Sequence, residues 1–199
     1  MSKDIIIIDC DFFNHITETS KETKYFEDLV SDLKIVPVMH EYVYFQEMIL
    51  NKCAKKMVSD GFLKIEKFDE FINEKNEKEY VRYFESFYHY ANGKNIQYIK
   101  NDYKTYRKSR ENLGEIHSIC LALIKKYPIL LSDDSGAKRL NEKVEKKSQI
   151  VIKNIYDVYS DIAIMENKIS TKESFDKVMH FEGVIKERVK SIKQKWIGS

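Results

Sequence analysis

The stretch IIIIDCDFF, Ile5 to Phe13, constrains the fold more than any other part of the chain. Four successive β-branched residues flanked by charge describe a strand whose two faces are both apolar. Such a strand belongs in the middle of a parallel sheet covered by helices on both sides, and open α/β sheets bind ligands beyond the carboxyl ends of their strands. Asp9 and Asp11 stand at that end. Carboxylates so placed can hold a divalent cation, supply a nucleophile with its acid partner, or cap the following helix.

The remainder of the chain alternates in the same manner. Phe26, Leu29, Val30 and Leu33 have helical spacing, KIVPVM reads as a second strand, and Val43, Met48, Leu50 and Met57 predict a helix stopped by Gly61. From about residue 62 to 110 the chain turns polar and rich in Tyr, Phe, Lys and Glu, with Asn92-Gly93 as a terminator, and this is expected to be a helical elaboration. Ile116, Ile119, Cys120, Leu123 and Ile124 share one side of a helix, which breaks at Pro128 and leads into the strand ILLS and then Asp133 and Asp134. QIVIKN supplies another strand, and Ser170 with Glu173 predicts a capping box opening a last helix over residues 170–196. The expected class is α/β, a small parallel sheet flanked by helices, formed by residues 1–199 as a single domain.

Composition narrows the functional classes. The 34 basic and 32 acidic residues leave a formal charge of +2, so the chain has no global attraction for nucleic acid and any basic surface must be local. Three cysteines, Cys10, Cys53 and Cys120, form no CxxC pair and predict a reducing compartment without disulfides. No apolar run has the length of a membrane span, and Ile5–Ile8 is too short for a signal sequence, which together predict a cytoplasmic protein with no membrane partner.

Two apolar strands end alike, IIIIDCD and ILLSDD. In a parallel sheet Asp9, Asp11, Asp133 and Asp134 would meet at one edge, with Glu115 in the first turn of the helix that precedes the second strand. Carboxylates this close raise one another's pKa unless a cation neutralises them, and oxygen-only ligands suit Mg²⁺ or Mn²⁺. Taken singly, each acid has a plainer reading as a helix cap, a turn residue or a first-turn glutamate. Their recurrence at equivalent strand ends favours a shared site.

IIIIDCDFF, the helix opening LGEIHSICLAL and the strand exit ILLSDDSGAKRL together resemble the PIN-domain family of metal-dependent nucleases, in particular its bacterial branch with a Gly-Glu helix start and a paired Asp after the next strand. The resemblance covers the first strand and residues 112–141. It implies a PIN-like fold and metal ligation by Asp9, Glu115 and Asp134, with Asp133 as a further acid and Asp9, Glu115 and Asp134 as the catalytic set. Another family acid lies on the helix after the second strand, where Glu47 fits the usual distance and Glu41 is nearer the strand end. Asp-Cys-Asp departs from the family's usual opening by adding the charge of Asp11, and residues 62–110 exceed a minimal member. The implied activity is Mg²⁺- or Mn²⁺-dependent hydrolysis of RNA, as in the toxin of a toxin–antitoxin or defence system, with a protein antitoxin or a second copy as partner.

Lys94 to Arg110 carries six basic residues against one Asp102, with Tyr98, Tyr103 and Tyr106 interleaved. Cations for phosphates and aromatics for bases suit single-stranded nucleic acid, making Lys104, Arg107, Lys108 and Arg110 candidate contacts; the plainer reading is a solvated helix face. The basic KERVKSIKQKW near the C-terminus reads as a solvated helix, and His117 as a structural histidine. Two other readings compete with the nuclease. IIIIDCDFF and ILLSDD also resemble the haloacid-dehalogenase-like phosphatases, in which Asp9 would be the nucleophile and Asp11 the acid/base. A PIN-like module without catalysis, binding RNA or protein, is the other.

Overall fold

In the computed structural model, residues 4–18, 23–93, 103–104, 112–144, 150–180 and 185–197 are described. Strands β1 (Asp4–Ile8), β2 (Ile35–His40), β3 (Lys64–Glu66), β4 (Ile129–Leu131) and β5 (Val151–Lys153) form one sheet in the order β3-β2-β1-β4-β5, with every pair parallel. β1 is central, as its four isoleucines require. Ile6 and Ile8 enter the core on one face while Ile7 enters the core on the other, so a period of two places apolar side chains in both layers.

One layer holds α1 (Cys10–Glu18), α2 (Lys24–Leu33), α3 (Lys52–Ser59), α8 (Ile155–Ala163), α9 (Lys172–Val178) and α10 (Lys186–Lys195), which contribute Phe12, Phe26, Met57, Tyr159, Phe175 and Ile192. The opposite layer holds α4 (Phe68–Phe71), α5 (Glu77–Asn92), α6 (Leu113–Lys125) and α7 (Ser135–Val144), with Phe71, Phe84, Ile119 and Leu140 buried. From β1 the chain steps through β2 to β3 with helices in the first layer; it then returns across the sheet to β4 and β5 with helices in the second. Both directions keep the same crossover hand. The reversal falls between β1 and β4, and there the chain leaves in opposite directions: β1 into α1, β4 into α7. A crevice therefore opens at the carboxyl ends of these two strands.

Three expectations are corrected. The helix expected to end at Gly61 is broken into a π-helical segment, Val43–Glu47, and α3, because Asn51 caps a new helix by accepting from the N–H of Ala54 at 2.8 Å; Leu50, expected on an apolar face, is 87 % exposed. Residues 62–110 are not wholly helical, since Lys64–Glu66 pairs with β2 as an edge strand held by Lys64 and Lys125 around the buried Glu66. The C-terminal helix is two helices, and the capping box that opens α9 is Thr171 with Ser174. Asp32 of α2 accepts from the N–H groups of Ile169 and Ser170 and so anchors the loop before it. Gly93 does end α5, in a left-handed conformation with φ +62°. Among the described residues no helix is long and apolar enough to cross a membrane.

A polar chain crosses the second layer. The N–H of Tyr42 donates to His40 Nδ1 at 2.9 Å, so the neutral ring carries its proton on Nε2, 3.3 Å from the Tyr80 hydroxyl; that hydroxyl in turn lies 2.6 Å from His117 Nδ1. Burial pushes His40 down to about 3. His117 is thus a structural histidine joining α6 to α5 and β2. Tyr80→Phe removes both hydrogen bonds of that hydroxyl and should destabilise the protein by about 1–3 kcal/mol. Urea unfolding measures this; an unchanged midpoint would mean that water replaces the hydroxyl without loss.

Candidate metal centre

The crevice between β1 and β4 is lined by acids. Asp9, one residue past β1, is 2 % exposed, and its N–H donates to Leu131 O at 2.9 Å, fixing it against β4. Ser132 Oγ donates to Asp9 Oδ2 at 3.1 Å, while Oδ1 is buried with no hydrogen-bond partner among the described residues. Asp11 follows on the exposed side of α1. One carboxylate oxygen from each of Asp11, Glu115 and Asp134 lies within 4.8 Å of the others. Asp134 also accepts from the N–H of Gly136 at 2.6 Å, so it caps α7 while facing the cluster.

Glu47 joins from the far side of the crevice. It ends the π-helical segment, in which Met48 N–H reaches back five residues to Val43 O at 3.0 Å. The wider turn carries the Glu47 carboxylate to the start of α6, where it accepts from the N–H of Gly114. A Cβ at Gly114 would overlap both oxygens of that carboxylate. The Gly-Glu pair at this helix start thus has a physical meaning: the glycine admits one acid and the next residue presents another.

The crowding governs protonation. Loss of water around Asp9, reinforced by Asp11 and Asp134, pushes it up to about 7. Glu47, an exposed residue whose carboxylate lies against Gly114, is pushed up to about 8 by desolvation of that carboxylate and by Asp9 and Asp11. Glu115 is pushed up to about 9 by desolvation first and then by Asp9 and Glu47. Asp11 moves in the same direction by desolvation and the two acids after β4. Among the described residues no lysine or arginine forms an ion pair with Asp9, Asp11, Glu47, Glu115 or Asp134. Five acids without a basic partner, one of them carrying an orphaned buried oxygen, fit a hard divalent cation.

The other candidates are placed differently. Asp133 is engaged by other partners: its Oδ1 accepts from the N–H of Ile155 at 2.7 Å and its Oδ2 lies 2.6 Å from His15 Nδ1, so it joins α8 to α1. Glu41 accepts from the N–H of Phe68 at 2.7 Å and starts α4, which leaves Glu47 as the acid contributed by the segment after β2. Lys104 lies over the rings of Phe68 and Tyr103, whereas Arg107, Lys108 and Arg110 fall outside the described residues. Sequence reasoning missed Ser132 and the supporting chain in which Asn51 donates to Asn14 and Asn14 to Cys10 Sγ, which itself lies 3.2 Å from Met48 Sδ. These contacts hold the end of the π-helical segment against α1, and no motif announces them.

Two outcomes follow. Gly114→Ala makes the carboxylate end of the flexible Glu47 side chain give way, so it should stabilise the protein less than the same change does in a Glu47→Ala background, where alanine is the better helix former by about 1 kcal/mol. Chemical denaturation of the four proteins checks the difference. The second outcome concerns pH. Unfolded carboxyls titrate near about 4, and the folded state holds its protons to about 7, 8 and 9 at Asp9, Glu47 and Glu115. The stabilisation by these protons is full below about pH 4 and is lost as pH rises through the folded values. In chelator, Tm of Glu115→Gln should therefore fall less between pH 5 and 9 than that of the wild type; equal slopes would count against the crowding.

Comparison of the chain with family models, with curated proteins and with solved structures gives no match.

Proposed function

We propose that this protein is a PIN-like, Mg²⁺- or Mn²⁺-dependent ribonuclease. The observation that carries the reading is the set of carboxylate oxygens of Asp11, Glu115 and Asp134, which lie within 4.8 Å of one another at the sheet's topological switch point, beside the buried Asp9 whose Oδ1 has no hydrogen-bond partner among the described residues. A carboxylate in such a place is protonated or holds a cation. The residues to hold the cation are Asp11, Glu115 and Asp134, whose oxygens lie within 4.8 Å of one another, with Asp9 and Glu47 beside them as the family resemblance and the shared electrostatics suggest. When bound, the cation supplies positive charge at a scissile phosphate and acidifies water.

The chain's own groups have separate tasks. Ser132 fixes the Asp9 carboxylate, the N–H of Gly114 fixes Glu47, and the N–H of Gly136 fixes Asp134, so the ligands are oriented before a cation arrives. The depth of Asp9 suits a ligand better than a nucleophile, which disfavours a phosphatase that attacks through this residue: a phosphoryl group would have to reach a side chain that is 2 % exposed. RNA as substrate and a toxin's place in a defence system rest on the family resemblance.

Asp9→Asn should abolish metal-dependent RNA cleavage while leaving the fold intact. Mn²⁺ should raise Tm of the wild type by more than that of the variant, because a ligand stabilises only the state that binds it. An Asp9→Asn protein that cleaves RNA at the wild-type rate would overturn the reading, and RNA binding without cleavage by the wild type in Mn²⁺ would make the protein a binding module.

A further inference from the structure

The acids between β1 and β4 occupy only part of the sheet's carboxyl edge. Beyond the ends of β2 and β3 lies a pocket with about 200 Å³ of open space, lined by Glu41, Tyr42, Phe45, Phe68, Asp69 and Lys104. It is smaller than the roughly 300–1,000 Å³ of sites for drug-sized ligands. Glu41 follows β2 directly and Phe68 lies two residues past β3, so this pocket and the acid cluster are neighbours along the same edge of a parallel sheet. The helical chain from Glu41 to Glu47 connects them.

We infer that this pocket receives one unpaired guanine base of the RNA substrate; the inference builds on the ribonuclease reading and names what that enzyme selects. Phe68 forms an apolar wall at 5 % exposure, while Phe45, 48 % exposed, stands at the rim where a base can stack on it. The charged groups are two carboxylates, Glu41 and Asp69, and one cation, Lys104, whose Nζ lies 5.9 Å from the Phe68 ring centroid. Guanine alone among the RNA bases presents two adjacent donors on its pairing edge, N1–H and the N2 amino group, and one carboxylate accepts both. Adenine and cytosine each offer an amino group beside an acceptor nitrogen, and uracil flanks its single N–H with carbonyls that a carboxylate repels. Lys104 adds a cation for the neighbouring phosphate.

Asp69 is exposed and therefore free to turn onto the base, whereas Glu41 is oriented by the N–H of Phe68. Asp69 is accordingly assigned the contact with the two guanine donors, and Glu41 sets the negative potential of the pocket.

The test is titration of the full chain with guanosine, adenosine, cytidine and uridine in chelator, followed by calorimetry or NMR. Guanosine should bind about tenfold or more tightly than the others, the discrimination of one good bidentate contact. Phe45→Ala should weaken guanosine binding about tenfold through the lost stack, Asp69→Asn should erase the preference for guanosine, and Asp9→Asn should bind it as the wild type does. Equal binding of the four nucleosides, or guanosine binding indifferent to both Phe45→Ala and Asp69→Asn, would overturn the inference. The two readings fail separately: cleavage in Mn²⁺ without guanosine preference removes the pocket and keeps the nuclease, and guanosine preference without cleavage does the reverse.

Discussion

A carboxylate at the end of a strand that is buried on both faces sets the terms for this protein. Burying both faces of β1 supplies the apolar area that holds the two layers together, and it carries Asp9 out of water with it. Hydrogen bonding by Ser132 relieves one oxygen and leaves the other without a partner. Among the described residues no lysine or arginine pairs with it, and the charges of Asp11 and Asp134 act on it instead. Elsewhere the chain shows the ordinary solution to the same problem: the buried Glu66 is flanked by Lys64 and Lys125 and accepts from the Tyr127 hydroxyl. The contrast between Glu66 and Asp9 separates a carboxylate that holds the fold from one that is kept available.

The cluster is assembled from parts of the chain far apart in sequence, and each part is positioned by a different device. Asp9 and Asp134 come from adjacent parallel strands whose connections diverge, which places both at the mouth of one crevice. Glu115 comes from the first turn of a helix in the second layer. Glu47 arrives on a π-helical turn braced by Met48, Cys10, Asn14 and Asn51, and docks where Gly114 leaves room. The structure thus stores electrostatic strain in a small region and offsets it with contacts a few ångströms away. Asp133 and His15 belong to this support, tying α1 to α8 beneath the acids.

Along the carboxyl edge of the sheet the character changes from acids over β1 and β4 to aromatics, carboxylates and a lysine over β2 and β3. The His40–Tyr80–His117 chain lies beneath that second region and fixes the end of β2 against α5 and α6. The acids over β1 and β4 and the aromatic rings over β2 and β3 are both carried at the ends of strands of one sheet. Positions held by such elements are the ones best able to orient a ligand.

The central strand and the α/β class with a parallel sheet were legible in the amino-acid sequence, as was the collection of acids at the ends of β1 and β4, because burial on two faces demands unbroken apolar runs and strand ends are marked by charge. Less legible were elements whose stability comes from their neighbours. The three residues of β3 carry only one apolar side chain, Ile65, and become a strand by pairing with β2; the π-helical turn that delivers Glu47 has no periodicity of its own. The choice between Glu47 and Glu41, and the diversion of Asp133 to His15 and Ile155, depended on where a glycine left space and where an N–H stood unpaired. Sequence spacing determines which residues can share a face, whereas the partner each polar atom takes is decided only when the layers close and every buried donor must find an acceptor.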